Sequence, residues 1–509
     1  MAQRRMEGNE SMETLREHTP AHPSEPARDP SGQSVTVADM MQAREARAGM
    51  QRALLARCEG ACVVCLCMNI AGPVKTTPAI ERAFSYAADA VRAVLAPYPV
   101  FFDQEIHEKT GPEALFCVQA DALELKRRLC GLEDGEALGR LLDLDVIRPD
   151  GEKVSRTELG LPARRCLLCG EPAPVCARSR AHSVQALFSR AHELIDRHFE
   201  RAFVQKTGQN ALRALLCEVA VSPKPGLVDR ENTGAHQDMD MFTFIDSASA
   251  LIPYFEACAR TGLANRGGDP AACFDALRVP GLLAEAAMRR ATGGVNTHKG
   301  AIFSLGIACA SLGLGYGGAP LHAEAVLQRC GDMTRLRMQQ EWGRMRSSQA
   351  RTYGERLYRT QGVGGVRAEA AAGFPGVREA SLPRLRACLK AGLCLNDACL
   401  CALVALMART QDTNALHRGG IRGAQAVQEK ARSLDEEISG ALAAGRIREE
   451  MPRLAQFLRA WNDELCQARI SPGGCADLLA LTLLMHFSQE ADPDSLENPK
   501  KDFTTKKRF

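Results

Sequence analysis

Aromatic residues are scarce in this 509-residue chain, at 5% with two Trp. That leaves little for stacking single-stranded bases and argues against a nucleic-acid partner. An excess of either charge is also missing. Sixty-four Lys and Arg stand against 61 Asp and Glu, a net of +3, so no overall basic field invites a polyanion. The first 37 residues (EHTPAHPSEPARDPSGQS among them) lack the apolar run of a secretory leader and read as a flexible tail. A cytoplasmic protein is the expectation. Its 20 cysteines form no regular disulfide framework and are expected as reduced thiols. Gly300 to Ala323 lacks every Asp, Glu, Lys and Arg, enough for a bilayer crossing. Its later half is rich in glycine and no second such stretch exists. A buried helix running into a Gly-rich loop is therefore expected, with a membrane anchor at 300–318 as the rival reading.

What is present is an ordinary globular mix, 45% apolar and 25% charged, long enough for two or three domains. From residue 38 to 203 the periods are mixed. Segments 39–58 and 78–96 have helical spacing. Cys62–Ile70, Pro99–Ile106 and Leu115–Ala120 read as short strands. Leu141–Ile147 and Glu152–Ser155 flank a Pro149-Asp150-Gly151 turn. From 204 to 490 the texture is helical throughout, at 209–221, 242–260, 280–290, 322–347, 384–408, 424–443 and 475–488, punctuated by Gly and Pro. The fold class expected is an α+β domain (38–203) followed by an all-α domain (204–490), with tails at 1–37 and 491–509.

In the first domain, Asp143-Leu144-Asp145 stands in RLLDLDVIRPDG. Alternate strand residues share a face, so both carboxylates can hold one Mg²⁺ against a phosphoanhydride, with Leu142, Leu144 and Val146 turned to the core. A solvated strand face is the competing reading. Lys75 and Gly139-Arg140 add phosphate partners, as does the run Arg156, Arg164, Arg165, Arg178 and Arg180. Cys166-x2-Cys169-x6-Cys176-x5-His182 has the ligand types of a Cys₃His zinc site, although reduced packing thiols are the first reading in a chain so rich in cysteine.

In the second domain, SPKPGLVDRENTGAHQDMDMFTF (222–244) puts Lys224, Asp229, Arg230, His236, Asp238 and Asp240 on a constrained loop, a pattern suited to Mg²⁺ and polyphosphate. Gly293-Gly-Val-Asn-Thr-His-Lys-Gly300 precedes the uncharged segment. A helix starting near Gly300 offers N–H groups to an anion beside Asn296, His298 and Lys299. A third segment, Arg409-Thr-Gln-Asp-Thr-Asn-Ala-Leu-His-Arg-Gly-Gly420, brings Asp412, Asn414, His417 and Arg418 and reads as a polar loop. Three such segments abutting apolar helices make a pocket.

These motifs carry two resemblances. Asn69-Ile-Ala-Gly-Pro-Val-Lys75, Leu142-Asp-Leu-Asp-Val146 and Arg164-Arg-Cys-Leu-Leu-Cys169 with Cys176, Arg178 and His182 resemble the apo-citrate lyase phosphoribosyl-dephospho-CoA transferases over about 38–200. KPGLVDRENTGAHQDMD, GGVNTHKGAIFSLG and DTNALHRGG resemble the triphosphoribosyl-dephospho-CoA synthases over about 204–490. The resemblance implies a nucleotidyltransferase-like first domain and a fused, bifunctional transferase. ATP and 3'-dephospho-CoA would give 2'-(5''-triphosphoribosyl)-3'-dephospho-CoA and adenine. The phosphoribosyl-dephospho-CoA group would then pass to a serine of the citrate lyase acyl carrier (gamma) subunit with loss of pyrophosphate. An equivalent factor for the malonate decarboxylase carrier, or a zinc-dependent interaction module, is the alternative.

Under that reading Asp229, Asp238 and Asp240 hold Mg²⁺ in the synthase step. Lys224, Arg230, Asn296, Lys299 and Arg418 bind substrate, and His236 or His298 is the general base, with Asp238 beside them. In the transferase step Asp143 and Asp145 hold Mg²⁺ while Lys75, Arg156, Arg164 and Arg165 steady phosphates. Mg²⁺ is the expected cofactor; zinc at Cys166, Cys169, Cys176 and His182 stays open.

Overall fold

The computed structural model describes residues 32–135, 137–317, 321–347, 359 and 363–490. The expected tail at 491–509 and all but the end of that at 1–37 lie outside these residues. The chain divides into two compact units, up to His198 and from Phe199.

The first unit opens on α1 (Val37–Arg57), whose start is fixed by a capping box between Thr36 and Asp39. There follow β1 (Cys62–Met68), α2 (Pro78–Leu95), β2 (Val100–Glu108), β3 (Gly111–Val118), α3 (Ala122–Gly135), β4 (Leu142–Ile147) and α4 (Ala173–Ser179). Thr77 caps α2 with Pro78 at its first position, and Ile80, Ala83, Phe84, Ala87, Ala88, Val91 and Leu95 form its buried stripe. The sheet order is β2-β3-β1-β4, every pair antiparallel.

Alternation divides the sheet's faces. Val64, Leu66, Phe116, Leu142, Leu144 and Val146 pack with α2 and α3, and Val63, Cys65, Leu115, Cys117 and Ile147 pack near Leu54 of α1. In this register Asp143 lies opposite Cys67 and Asp145 opposite Cys65. The expected strands and the inward Leu142, Leu144 and Val146 are all observed.

The boundary between units falls inside one long helix, α5 (Val184–Ala220). Beyond it come α6 (Met241–Ala250), α7 (Ile252–Ala264), α8 (Pro270–Ala276), α9 (Arg278–Ala291), α10 (Lys299–Gly315), α11 (Ala323–Ser347), α12 (Gly365–Ala371), α13 (Leu382–Lys390), α14 (Leu395–Arg409), α15 (Thr413–Ala443), α16 (Ile447–Ala468) and α17 (Gly473–Glu490). No strand occurs here among the described residues. Ala301, Ile302 and every residue from Ser304 to Gly313 of α10 are buried; α14 is buried from Ala398 to Ala408. Two helices apolar all round thus form the centre, and amphipathic helices such as α16 wrap them.

The uncharged segment is α10, the buried core helix expected, and no helix among the described residues is long and apolar enough to cross a membrane. Other expectations need correction. The stretch 242–260 is two helices broken at Leu251, and 384–408 is two helices separated around Gly392, whose φ is +84°. The third polar segment is not a loop. Thr413 onward is the first turn of α15, because the Asp412 carboxylate accepts from the Asn414 and Ala415 N–H groups and nucleates it.

Candidate active sites

In the helical unit the three polar segments meet. Lys224, His236 and Asp238 from the first, Asn296, His298 and Lys299 from the second, and Asp412, Asn414 and Arg418 from the third line one cavity of about 950 Å³. Residues from the first turns of α10 (Lys299, Gly300), α15 (Thr413, Asn414) and α17 (Gly473, Gly474) share its wall. Helix N-termini present unpaired N–H groups and positive dipole ends, so their convergence favours anions.

Two carboxylates tie these helix starts together. Besides capping α15, Asp412 accepts from the Cys475 N–H at the start of α17, 2.8 Å away. Asp477 of α17 is bonded by the Ala301 N–H at the start of α10. The approach of Asp477 requires glycine at 300, where a Cβ would stand 1.9 Å from its Oδ2. Burial first, and then the charges of Glu218 and Asp412, push the Asp477 carboxyl well above the usual range. Burial also raises Glu218 and Asp412. Carboxyls that repel one another in a buried wall suit a divalent cation, which would replace their protons. They do not form a tight preassembled cage: among the described residues, no three of these carboxylates gather closely enough to hold an ion as they stand.

The two histidines differ. His298 is buried, at 3% exposure. Thr297 donates to the Ser247 hydroxyl at 2.7 Å, and that hydroxyl lies 2.7 Å from His298 Nδ1. Ser247, which accepts from Thr297, donates its own O–H to Nδ1, and this leaves the ring proton on Nε2, which has no protein partner. Burial, aided by the Lys224 charge, lowers the His298 pKa to about 3. His298 is thus a neutral donor. His236 receives an Arg418 N–H at Nδ1, 3.2 Å away, which places its own proton on Nε2, 2.9 Å from Ser471 Oγ. Burial and Arg418 lower its pKa as well.

Other residues singled out in the sequence have structural duties. Lys224 is buried and donates to the Glu218 carbonyl at 2.7 Å and to its carboxylate. Asp229 is buried and accepts from the N–H groups of Lys224, Glu231 and Asn232, which folds the loop but keeps it off the cavity wall. Asp240 also stays off the wall: it caps α6 in a capping box with Thr243. Exposed Arg230 donates to Asn396 at 3.2 Å. Lys299 lines the cavity and pairs with Glu285 at 3.1 Å. Glu218, Glu285, Arg367, Glu369, Ser471 and Asp477 also line the wall although they lie outside the three motifs, and Arg409 joins them from the start of the third segment.

In the sheet unit, Asp143 and Asp145 share a face as expected. Desolvation, then the Asp145 charge, raises the Asp143 pKa; Lys153 pairs with Asp145 at 2.5 Å. Glu113 of β3 lies opposite Cys67, in the same row as Asp143, and pairs with Arg47 of α1 at 3.2 Å. The acidic face is therefore wider than the D-x-D alone. β4 is an edge strand, yet its open side is satisfied: Leu144 N–H donates to Glu133 at 3.1 Å, and the buried Lys126 donates to the Leu144 carbonyl.

Arg156 is spent on Glu133 and Asp134 at 3.0 and 2.7 Å. Arg164 is spent on the carbonyls of Leu142, Gly139 and Arg140. Both hold the fold around the strand rather than offering free guanidinium groups. Lys75 donates to the Ile70 carbonyl beside Gly111. Arg165 is exposed. Cys166, Cys169, Cys176 and His182 come together, their donor atoms all within 4.8 Å of one another.

Comparison with known proteins bears on both units. Residues 204–495 match the family model described as ATP:dephospho-CoA triphosphoribosyl transferase, and residues 35–198 match that of the apo-citrate lyase phosphoribosyl-dephospho-CoA transferase. The chain belongs to the family that fuses these two transferases. It is 33% identical over 461 residues to Protein CitXG of Haemophilus influenzae, covering 89% of this chain and 96% of the relative. Identity to Protein CitXG of Leuconostoc mesenteroides subsp. cremoris is also 33%, over 89% and 97%. A 2-(5''-triphosphoribosyl)-3'-dephosphocoenzyme-A synthase of Haemophilus ducreyi is 35% identical over 340 residues, covering 62% of this chain and 98% of that one. The helical unit is thus the synthase unit and the sheet unit the transferase unit, and the protein is a transferase of citrate lyase prosthetic-group assembly.

Proposed function

We propose that the cavity of the synthase unit binds ATP and 3'-dephospho-CoA and exchanges adenine for the dephospho-CoA 2'-hydroxyl. The observation that carries this reading is the convergence of three sequence-distant segments and three helix N-termini on one cavity with both cationic and carboxylate walls. In the reaction the bond from ribose C1' to adenine breaks, the 2'-oxygen bonds to C1', and the triphosphate stays whole. Lys299, Arg367, Arg409 and Arg418 are assigned to phosphates, helped by the helix N-termini. Glu218, Asp477 and Asp238 would hold Mg²⁺, which would offset triphosphate charge. His298 Nε2–H donates to bound substrate. His236 takes the 2'-hydroxyl proton once Arg418 turns from Nδ1 to a phosphate.

In the transferase unit the carrier serine attacks the α-phosphate and pyrophosphate leaves. Asp143 and Asp145, with Glu113 beside them, would hold the cation that carries pyrophosphate charge. Arg165, Arg178, Arg180 and Lys75 are the cationic partners. The acyl carrier of citrate lyase is the proposed acceptor.

Paired variants test the division of labour. Asp477→Asn should stop adenine release yet still label carrier from added triphosphoribosyl-dephospho-CoA. Asp145→Ala should release adenine at the normal rate and fail to label. Loss of both activities in either variant, with the chain folded, would refute separate sites.

A further inference from the structure

We infer that the transferase unit carries a structural zinc ion held by Cys166, Cys169, Cys176 and His182, a site independent of the roles assigned to the two active centres. Between Val154 and Ala191 Cys166 is the one buried apolar residue, and α4 has no buried residue at all. This segment has no core of its own to hold its shape, the circumstance in which small folds rely on a metal or a disulfide. All four residues are nonetheless drawn together. Cys169 Sγ and Cys176 Sγ are 3.3 Å apart and all three thiols are free. A tetrahedral ion with Zn–S bonds of about 2.3 Å and a Zn–N bond of about 2.0 Å fits within the observed spread of 4.8 Å.

The backbone has the shape such an ion needs. Cys166-Leu-Leu-Cys169 closes on Gly170, whose φ is +76°, and the Leu168 N–H points at Cys166 Sγ from 3.5 Å, a contact that favours thiolate. The turn is sealed by Cys166 N–H to the Glu171 carbonyl and Ala173 N–H to the Arg164 carbonyl, at 2.6 and 2.8 Å. α4 then presents Cys176, and the left-handed Arg180 (φ +49°) at its end returns the chain so that His182 joins. The His182 Nε2 is shielded from solvent with no partner, an unmet polar atom that coordination would satisfy.

Binding replaces the three thiol protons, leaving three thiolates, a neutral imidazole and the dication with a net charge of −1. The consequence for the site is positional. Arg140 donates to the Arg165 and Cys166 carbonyls at 2.8 and 3.2 Å, and Arg164 grips the start of β4. The metal would fix the knuckle to the strand that carries Asp143 and Asp145, and would set where Arg165, Arg178 and Arg180 stand.

The test uses the full chain purified without chelator. Elemental analysis should find one zinc per chain, and cobalt exchanged into the site should give the visible absorption of a tetrahedral thiolate complex. Cys169→Ser should lose the metal while the transferase unit keeps a cooperative unfolding step of its own in denaturant titration, which shows it folded. Cys169→His, still a ligand, should keep one metal with a shifted cobalt spectrum. A metal-free chain that takes up no cobalt would overturn the proposal, as would zinc retained in full by the Cys169→Ser and His182→Ala chains or a Cys169–Cys176 disulfide in the reduced cytosolic preparation.

Discussion

Gly300 is the residue on which the synthase cavity turns. Its missing side chain lets Asp477 reach the start of α10. Gly300→Ala should push that carboxylate away, destabilise the chain by about 1–3 kcal/mol and remove adenine release, measured by denaturant titration and by adenine quantification. Asp240 is the contrast. As a cap, its replacement by Ala should cost about 0.5–2 kcal/mol and leave the adenine-release rate of the folded chain within a few-fold of the parent. A complete loss would return Asp240 to the metal site. His298 predicts a pH effect. Its folded pKa of about 3 lies below the unfolded value of about 6.5, so the unfolded state binds the extra proton. Its burial therefore weakens the fold progressively as pH falls from about 6.5 towards 3. His298→Gln should flatten that part of the stability curve, and an unchanged slope would contradict the buried neutral ring.

At the scale of elements, β4 shows how the surroundings of a motif decide its use. Glu133 accepts from Leu144 N–H and pairs with Lys126 and Arg156, so side chains seal the middle of the edge strand, while the Val154 N–H covers the Val146 carbonyl at its end. Removing Glu133 strands a buried Lys126. Glu133→Ala should cost about 3–5 kcal/mol in the transferase unit, seen as an earlier unfolding step, with adenine release by the synthase unit intact. None of this pairing is visible in the sequence, where Glu133 is one acid in GLEDGE. Periodicity did reveal α1, α2, β1, β3, β4 and the apolar α10 and α14, because each carries its own pattern. It passed over α16, whose stripe of Ile447, Met451, Leu454, Leu458, Trp461 and Leu465 is crossed by Pro452. It also ran helices together across Leu251 and Gly392, where the break depends on local geometry.

For the whole molecule, the motifs identified the location of chemistry better than the agents of it. Lys224, His236, Asp238, Asn296, His298, Lys299 and Arg418 do reach one cavity. Asp229 and Asp240, drawn from the same run, turn their oxygens to backbone N–H groups instead, and spacing alone does not separate a cap from a ligand. Glu218, Arg367 and Asp477 sit within helices outside the three motifs, and only tertiary packing brings them to the wall. Joining two units in one chain raises the concentration of the first product near the second site. If that product diffuses freely, added unlabelled triphosphoribosyl-dephospho-CoA should dilute a labelled signal fully. The central claim is tested most directly by incubating the full chain with ATP and 3'-dephospho-CoA, quantifying adenine, and then adding apo acyl carrier of citrate lyase. One adenine should appear per intermediate formed, followed by one phosphoribosyl-dephospho-CoA on a carrier serine and one pyrophosphate. Carrier left unmodified while adenine accumulates, or ATP cleaved to ADP with no adenine, would contradict the account.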